Sequence, residues 1–249
     1  MAISKAILLN KKEGETPLQA LEKFRAKNKE YKDVKMTYAG RLDPMAEGLL
    51  LILAGEEIAH KEKYLALPKV YEFEVLFGFA TDTYDILGKI VNSKRVDISK
   101  IRLKSLIRNN LKHFTGIFNQ KYPPYSSKTW MKARVGTLEE APDRKVHIYK
   151  IHFMKLKPVT SNILLKNIQR RIKKVKGDFR QKEILKIWHK NLSQPSSKGS
   201  PCWIGSLSIK CGSGTYVRGI ADSLGKRIGI PALAFSIKRI QIGKYKTGV

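Results

Sequence analysis

Tyr71, Phe73, Val75, Phe77 and Phe79 alternate with Glu72, Glu74, Leu76 and Gly78, the clearest period of two in the chain, and predict a strand with one apolar face. Trp203, Gly205, Leu207, Ile209 and Cys211 repeat the pattern, Val146 to Phe153 has strand character, and the apolar patch before Lys11 reads as a first strand. Leu49 to Ala54 is a short unbroken apolar run between Gly48 and Gly55, more consistent with a buried strand than with a helix, although periodicity alone leaves both open. Helical spacing governs the other segments. Thr16-Pro17-Leu18-Gln19 has the form of a capping box with proline at the first helical position, and Leu18, Leu21 and Phe24 then share a side, predicting a helix from Pro17 to Lys27. Glu56 to Leu67 is helical in pattern and stops at Pro68. Ser99 can cap a helix through Lys112 that carries Leu103, Ile107, Leu111 and Phe114. Val217, Ile220, Ala221, Leu224 and Ile228 mark a further helical face, Thr81 to Asp85 a turn, and Gly88 to Val91 a short return strand.

Lys155 to Ser200 departs from its surroundings, with 13 Lys plus Arg against Asp178 and Glu183 alone. Leu165, Ile168, Ile172 and Val175 trace one helical stripe, Gly177 breaks it, and Asp178 with Gln181 can cap a second helix bearing Ile184, Leu185, Trp188 and Leu192. The expectation is a basic helical hairpin, residues 155–200, inserted into one domain that spans 1–249. Its charged face is either simply solvated or a grip on phosphates, with Arg170, Arg171 and Lys174 as candidate contacts.

The charge of the whole chain favours the grip. There are 49 Lys plus Arg against 21 Asp plus Glu, a net +28, and a domain so charged repels itself unless a polyanion neutralises it. Nucleic acid is the leading partner and an anionic membrane surface the second. No apolar run reaches the roughly 18 residues of a bilayer span, and the amino-terminal patch is too short for a signal peptide. Cys202 and Cys211 form no metal-ligand pattern, which fits a reduced cytoplasmic setting.

Three stretches could carry chemistry. Between Gly40 and Gly48 a glycine-bounded loop presents Asp43, with Pro44 fixing the chain behind it; local sequence alone favours the plainer reading, Asp43 as the cap of a short helix starting at Pro44. Gln120 to Trp130 mixes tyrosines, prolines and lysines, including Lys128, a composition that suits base stacking and phosphate contact. Gly212-Ser213-Gly214-Thr215-Tyr216-Val217-Arg218 joins a strand to a helix and places a cation in the first helical turn, where the helix dipole disfavours it and an acidic partner would be useful. Asp82 and Asp85 read as turn residues that bond their own backbone, with acid–base work the minority alternative.

The loop Gly40-Arg41-Leu42-Asp43-Pro44-Met45-Ala46-Glu47-Gly48, the segment Lys69-Val70-Tyr71, the turn Thr81-Asp82-Thr83 with Asp85 and Gly88, and Gly214 to Arg218 stand in the order seen in TruB-type pseudouridine synthases. On these motifs the chain resembles that family from Ile7 to Tyr245, outside the basic insertion. The resemblance implies an α+β fold, a mixed, mainly antiparallel bifurcated sheet with flanking helices, and catalysis without cofactor or metal. It implies isomerisation of uridine to pseudouridine in the T-loop of tRNA by a monomer needing no protein partner and no membrane. Asp43 would be the catalytic carboxylate, by attack on C1′ or by another route to opening the glycosidic bond. Tyr71 would stack on the target base and act in proton removal from C5, and Arg218 would keep Asp43 ionised and aimed. Lys11, Tyr38, Arg41, Lys128 and Tyr216 are the matching candidates for RNA contact.

The sequence departs from the family at two of these places. Tyr38 stands where the family has a histidine before the loop; a phenol ring can fill the space left by a flipped base but supplies no imidazolium. Lys12 replaces a common proline. The chain ends soon after Tyr245, leaving no room for a carboxy-terminal PUA-type domain, so the basic hairpin is expected to supply part of the RNA grip. The alternatives are a guide-RNA-dependent catalytic subunit and a non-catalytic RNA-binding protein or tRNA-folding chaperone.

Overall fold

Tyr71 to Phe77 lie in the central strand of a nine-stranded sheet, as their alternation requires. The computed structural model describes residues 4–125, 143–193 and 201–247. Its strands are β1 (Lys5–Lys11), β2 (Met36–Ala39), β3 (Ala46–Ala54), β4 (Lys69–Phe77), β5 (Phe79–Thr81), β6 (Ile90–Ser93), β7 (Gly116–Lys121), β8 (Asp143–Val159), β9 (Cys202–Cys211), β10 (Ala232–Ile242) and β11 (Tyr245–Lys246). The helices are α1 (Pro17–Lys27), α2 (Lys61–Ala66), α3 (Lys100–Leu111), α4 (Ser161–Ile172), α5 (Gln181–Leu192) and α6 (Val217–Ile228). The main sheet runs β1-β3-β10-β4-β9-β8-β7, with β5 and β6 forming a separate pair.

The sheet forks at β3. One edge of β3 takes β1 antiparallel; the other is divided, Ala46 to Gly48 pairing parallel with β10 and Leu51 to Ala54 pairing antiparallel with β2. All other strand pairs are antiparallel, so the mixed, mainly antiparallel and bifurcated sheet agrees with expectation. Gly48 makes the fork possible: its φ is +103°, and a Cβ there would run into the backbone of Arg239.

Apolar side chains close both faces. Tyr71, Phe73, Val75 and Phe77 pack with α3 and α6, whereas Leu76, Ile204, Leu233 and Phe235 pack with α4 and α5. The basic hairpin is therefore a full structural layer: Trp188 is completely buried and donates from its indole nitrogen to the Ile86 carbonyl at 3.1 Å.

α1 carries the expected capping box, with the Thr16 hydroxyl accepting from Gln19 N and the Gln19 amide oxygen accepting from Thr16 N. α3 begins after Ser99 as predicted. Several expectations need correction. The strand expected to continue to Phe79 breaks at Gly78, φ +101°, and β5 starts there. β8 continues to Val159 because it is laddered to β9, so residues 155–159 belong to the sheet and the hairpin's first helix starts at Ser161. Leu164, not Leu165, takes the fully buried position on α4. Asp178 and Gln181 do not cap α5; they accept backbone N–H bonds from Arg180 and Phe179 in a turn, and Arg180 enters the helix left-handed at φ 62°. Among the described residues no helix is long and apolar enough to cross a membrane.

Candidate active site

The Gly40–Gly48 loop enters β3 without a helix. Pro44 and Met45 form a turn closed by Ala46 N donating to the Asp43 carbonyl at 3.0 Å, and Ala46 is at once claimed by the ladder to β10. The helix-cap alternative for Asp43 is thus replaced by a turn that leaves the carboxylate unused by its own backbone. That carboxylate meets Arg218, whose Nε donates to Asp43 Oδ2 at 2.9 Å across 175 residues of sequence.

The pair is asymmetric. The Arg218 side chain is 4% exposed and that of Asp43 36%, so the cation is sealed and the anion faces open space. Nη1 of Arg218 donates to the Thr83 carbonyl at 2.6 Å and to the Pro124 carbonyl at 3.3 Å, fixing the guanidinium plane. Burial works against its charge, but the carboxylates of Asp43 and Asp85 outweigh it and hold Arg218 above the ordinary arginine range. A cation in the first turn of α6 is explained by these two acids rather than by the helix dipole.

Asp85 is the member of this centre that the turn interpretation passed over. Its Oδ1 accepts from the Thr83 hydroxyl at 2.8 Å and from Leu87 N at 2.9 Å, and the residue is buried. Burial pushes the Asp85 carboxyl up to about 6, Arg218 pulls it down and Asp43 pushes it further up. A carboxyl whose folded pKa lies above its unfolded value near 4 binds more protons folded than unfolded between about pH 4 and 6, so its contribution to stability falls as pH rises through that window. Asp85→Asn is expected to remove that decline, seen as an unfolding midpoint that gains on the parent's as pH rises from about 4 to 6. Asp82, by contrast, is structural: it accepts from Lys89 N and pairs with Arg180 at 2.7 Å.

Tyr71 is buried beside Arg239, its direct neighbour across β10, with the phenol oxygen 3.5 Å from Arg239 Nη1. Burial raises the phenol pKa and Arg239 opposes the rise. Arg239 is fully buried and was not anticipated. It donates from Nε to the Leu49 carbonyl at 2.7 Å and from Nη2 to the Gly40 carbonyl at 3.1 Å, and so ties the Gly40–Gly48 loop to the strand paired with Tyr71. The available signal was a charged residue in step with the buried Ile237 on an apolar strand. Gln120 is a second unanticipated support: its amide accepts from Tyr216 N and donates to Tyr216 O, at 2.9 and 3.0 Å, clamping the start of α6.

Tyr38 lies half-buried at the end of the fork with the exposed Arg41 guanidinium 5.6 Å from its ring centroid, a cation–aromatic pair at the lip of the site. Tyr216 packs edge-on to Tyr122 at 5.7 Å, and the Arg218 guanidinium lies 5.9 Å from the Tyr216 ring. Lys11 is not placed for phosphate: fully buried, it donates to the Glu15 and Lys12 carbonyls at 2.6 and 3.0 Å and reaches the Pro44 carbonyl at 3.5 Å, bracing the loop from beneath. Burial lowers its pKa to about 8. Arg171 is also withdrawn from solvent, paired with Glu13 at 2.6 Å and stacked 4.7 Å over Phe235, because α4 turns it towards the core. Lys174 shares Glu13 at 3.2 Å while remaining exposed, and Arg170 is exposed. Lys128 lies outside the described residues. Among the described residues no three His, Cys, Asp or Glu side chains gather closely enough to hold a metal ion.

The chain belongs to the TruB family of pseudouridylate synthases, whose N-terminal domain model matches residues 25–177. Its relatives include proteins named tRNA pseudouridine synthase B. The one from Aquifex aeolicus is 27% identical over 95% of this chain and 68% of its own length, and that from Ligilactobacillus salivarius 29% identical over 97% and 68%. In fold it is similar to a chain of a Cbf5-Nop10-Gar1 complex, with a TM-score of 0.58 at 15% identity, covering 98% of this chain and 50% of that one.

Proposed function

We infer that this chain isomerises uridine to pseudouridine in tRNA, at a uridine of the T-loop, with Asp43 as the catalytic carboxylate. The observation that carries this reading is the asymmetry of the Asp43–Arg218 pair, since a structural ion pair has no need for a sealed cation and an open anion. A T-loop base inside folded tRNA must leave its stack to reach Asp43, and Tyr38 with Arg41 at the lip supplies an aromatic face and a cation for the vacated position and its phosphates.

The atoms balance within the substrate. The N1–C1′ bond breaks with Asp43 attacking C1′ or stabilising the positive charge that develops there; the uracil turns over; C5 bonds to C1′, displacing the Asp43 carboxylate where it had bonded to C1′; the C5 proton leaves and N1 gains one. Arg218 fixes the orientation of the Asp43 carboxylate through the bond from its Nε to Oδ2. Tyr71 stacks on the base and takes part in C5 proton removal, with Arg239 beside the phenol oxygen to accept the charge. Arg170 and Lys174 provide exposed positive charge on the hairpin. The reading is tested by incubating the protein with unmodified tRNA transcripts and mapping pseudouridine: modification at a single T-loop uridine is expected, and a product confined to other positions would move the substrate elsewhere.

A further inference from the structure

Resting on the RNA substrate just described, we propose that the outer face of the α4–α5 hairpin is a phosphate-binding surface for tRNA backbone outside the T-arm. Lys166, Arg170 and Lys173 follow one another at intervals of four and three along α4 and its C-cap, and Lys182, Lys186 and Lys190 at intervals of four along α5. At 100° per residue each row lies opposite its helix's buried stripe, Leu164, Ile168 and Ile172 on α4 and Ile184, Trp188 and Leu192 on α5. All six are exposed and none joins an ion pair among the described residues.

A merely solvated face would mix signs. Like charges at i and i+4 destabilise a helix, and Lys166/Arg170, Lys182/Lys186 and Lys186/Lys190 are three such pairs. The hairpin's two acids do not relieve them: Glu183 is taken by Lys89 at 2.7 Å, and Asp178 accepts from Arg180 N in the connecting turn. The sequence thus keeps two unneutralised rows, with cations about 4.5 to 6 Å apart along the axis, on a layer whose other side is sealed into the core. That arrangement suits a polyanion that neutralises both rows at once.

The same hairpin is bolted to the catalytic centre. Glu13 holds Arg171 and Lys174, Gly14 N donates to the Pro44 carbonyl at 2.8 Å, and Met45 packs in the hairpin's apolar cluster. Arg180 pairs with Asp82 in the turn that carries Asp85, and stacks 4.4 Å over Tyr125. RNA held by the outer rows is therefore held by the body that positions Asp43. The rows point away from the sheet on the side opposite the cluster that holds Leu42 and Tyr71, so the backbone they would contact is remote from the target loop.

Deleting the hairpin would remove Trp188 from the core, so the test uses Lys166→Gln, Arg170→Gln, Lys173→Gln, Lys182→Gln, Lys186→Gln and Lys190→Gln in one full-length variant, with its unfolding midpoint as a check on folding. Binding to an unmodified tRNA transcript should weaken at least about tenfold, and the slope of log affinity against log salt should shrink by about 2 or more. Binding to an isolated T-arm stem–loop should change less than about threefold. Unchanged tRNA affinity and salt slope in the folded variant, or equal losses for tRNA and stem–loop, would overturn the proposal. So would loss of binding to phosphatidylserine vesicles with tRNA affinity intact, which would assign the face to a membrane. Affinity is read without turnover, so failure here leaves the proposed isomerisation standing, and a failed isomerisation leaves this surface testable.

Discussion

Asp43→Asn is expected to bind tRNA with affinity within about threefold of the parent and to lose turnover by at least about 10³-fold, some 4 kcal/mol of transition-state stabilisation. The substitution keeps shape and one hydrogen-bond acceptor for Arg218 Nε, so the loop, closed by the Asp43 carbonyl and braced by Lys11 and Arg239, has no reason to move. It removes the negative charge that must either attack C1′ or offset the charge developing there. Single-turnover rates on saturating transcript, with affinity measured separately, separate this outcome from a binding defect. A pure RNA-binding protein would show no turnover to lose.

Arg218→Met carries the second large effect, and it falls on both stability and rate. Arg218 is shared by an open carboxylate and a buried one, and removing it leaves Asp85 buried without its cation. Leaving the buried Thr83 carbonyl without its donor, and Asp85 without that neighbouring charge, costs about 1–3 kcal/mol, which denaturant titration at pH 7 would register. Adding Asp85→Asn should restore much of that stability, since the stranded charge is gone. It should not restore turnover, because Asp43 still lacks the guanidinium that holds and aims it. Recovery of rate in the double variant would show that Arg218 acts on folding alone.

How much of this was legible in the sequence follows from the range of the interactions. α1, α3 and the catalytic turn are written in near neighbours: Thr16 with Gln19, Ser99 with Arg102, Thr83 with Asp85. The helix dipole called for an acidic partner to Arg218, but only the resemblance could say that it was Asp43, 175 residues away. Arg239 escaped notice because its role depends on β10 lying between β3 and β4, and β10 was not among the expected strands. Asp43 seemed a helix cap because the sequence does not reveal that Ala46 to Gly48 are claimed by a parallel strand from the far end of the chain. Lys11 was expected at RNA through the resemblance and Arg171 through the charge of its segment, and neither shows which cations point inward; the carbonyls around Lys11 and the carboxylate of Glu13 decide that only in three dimensions.

The centre described here makes one demand that no binding role shares: C5 of the target uridine must lose its hydrogen to solvent, and Asp43 must be needed for that loss. A tRNA transcript carrying tritium at C5 of the T-loop uridine alone measures this directly. The account predicts release of one tritium per tRNA by the parent and none above background by Asp43→Asn at equal occupancy. Retention of the label by the parent, or its release at the parental rate by Asp43→Asn, would contradict it.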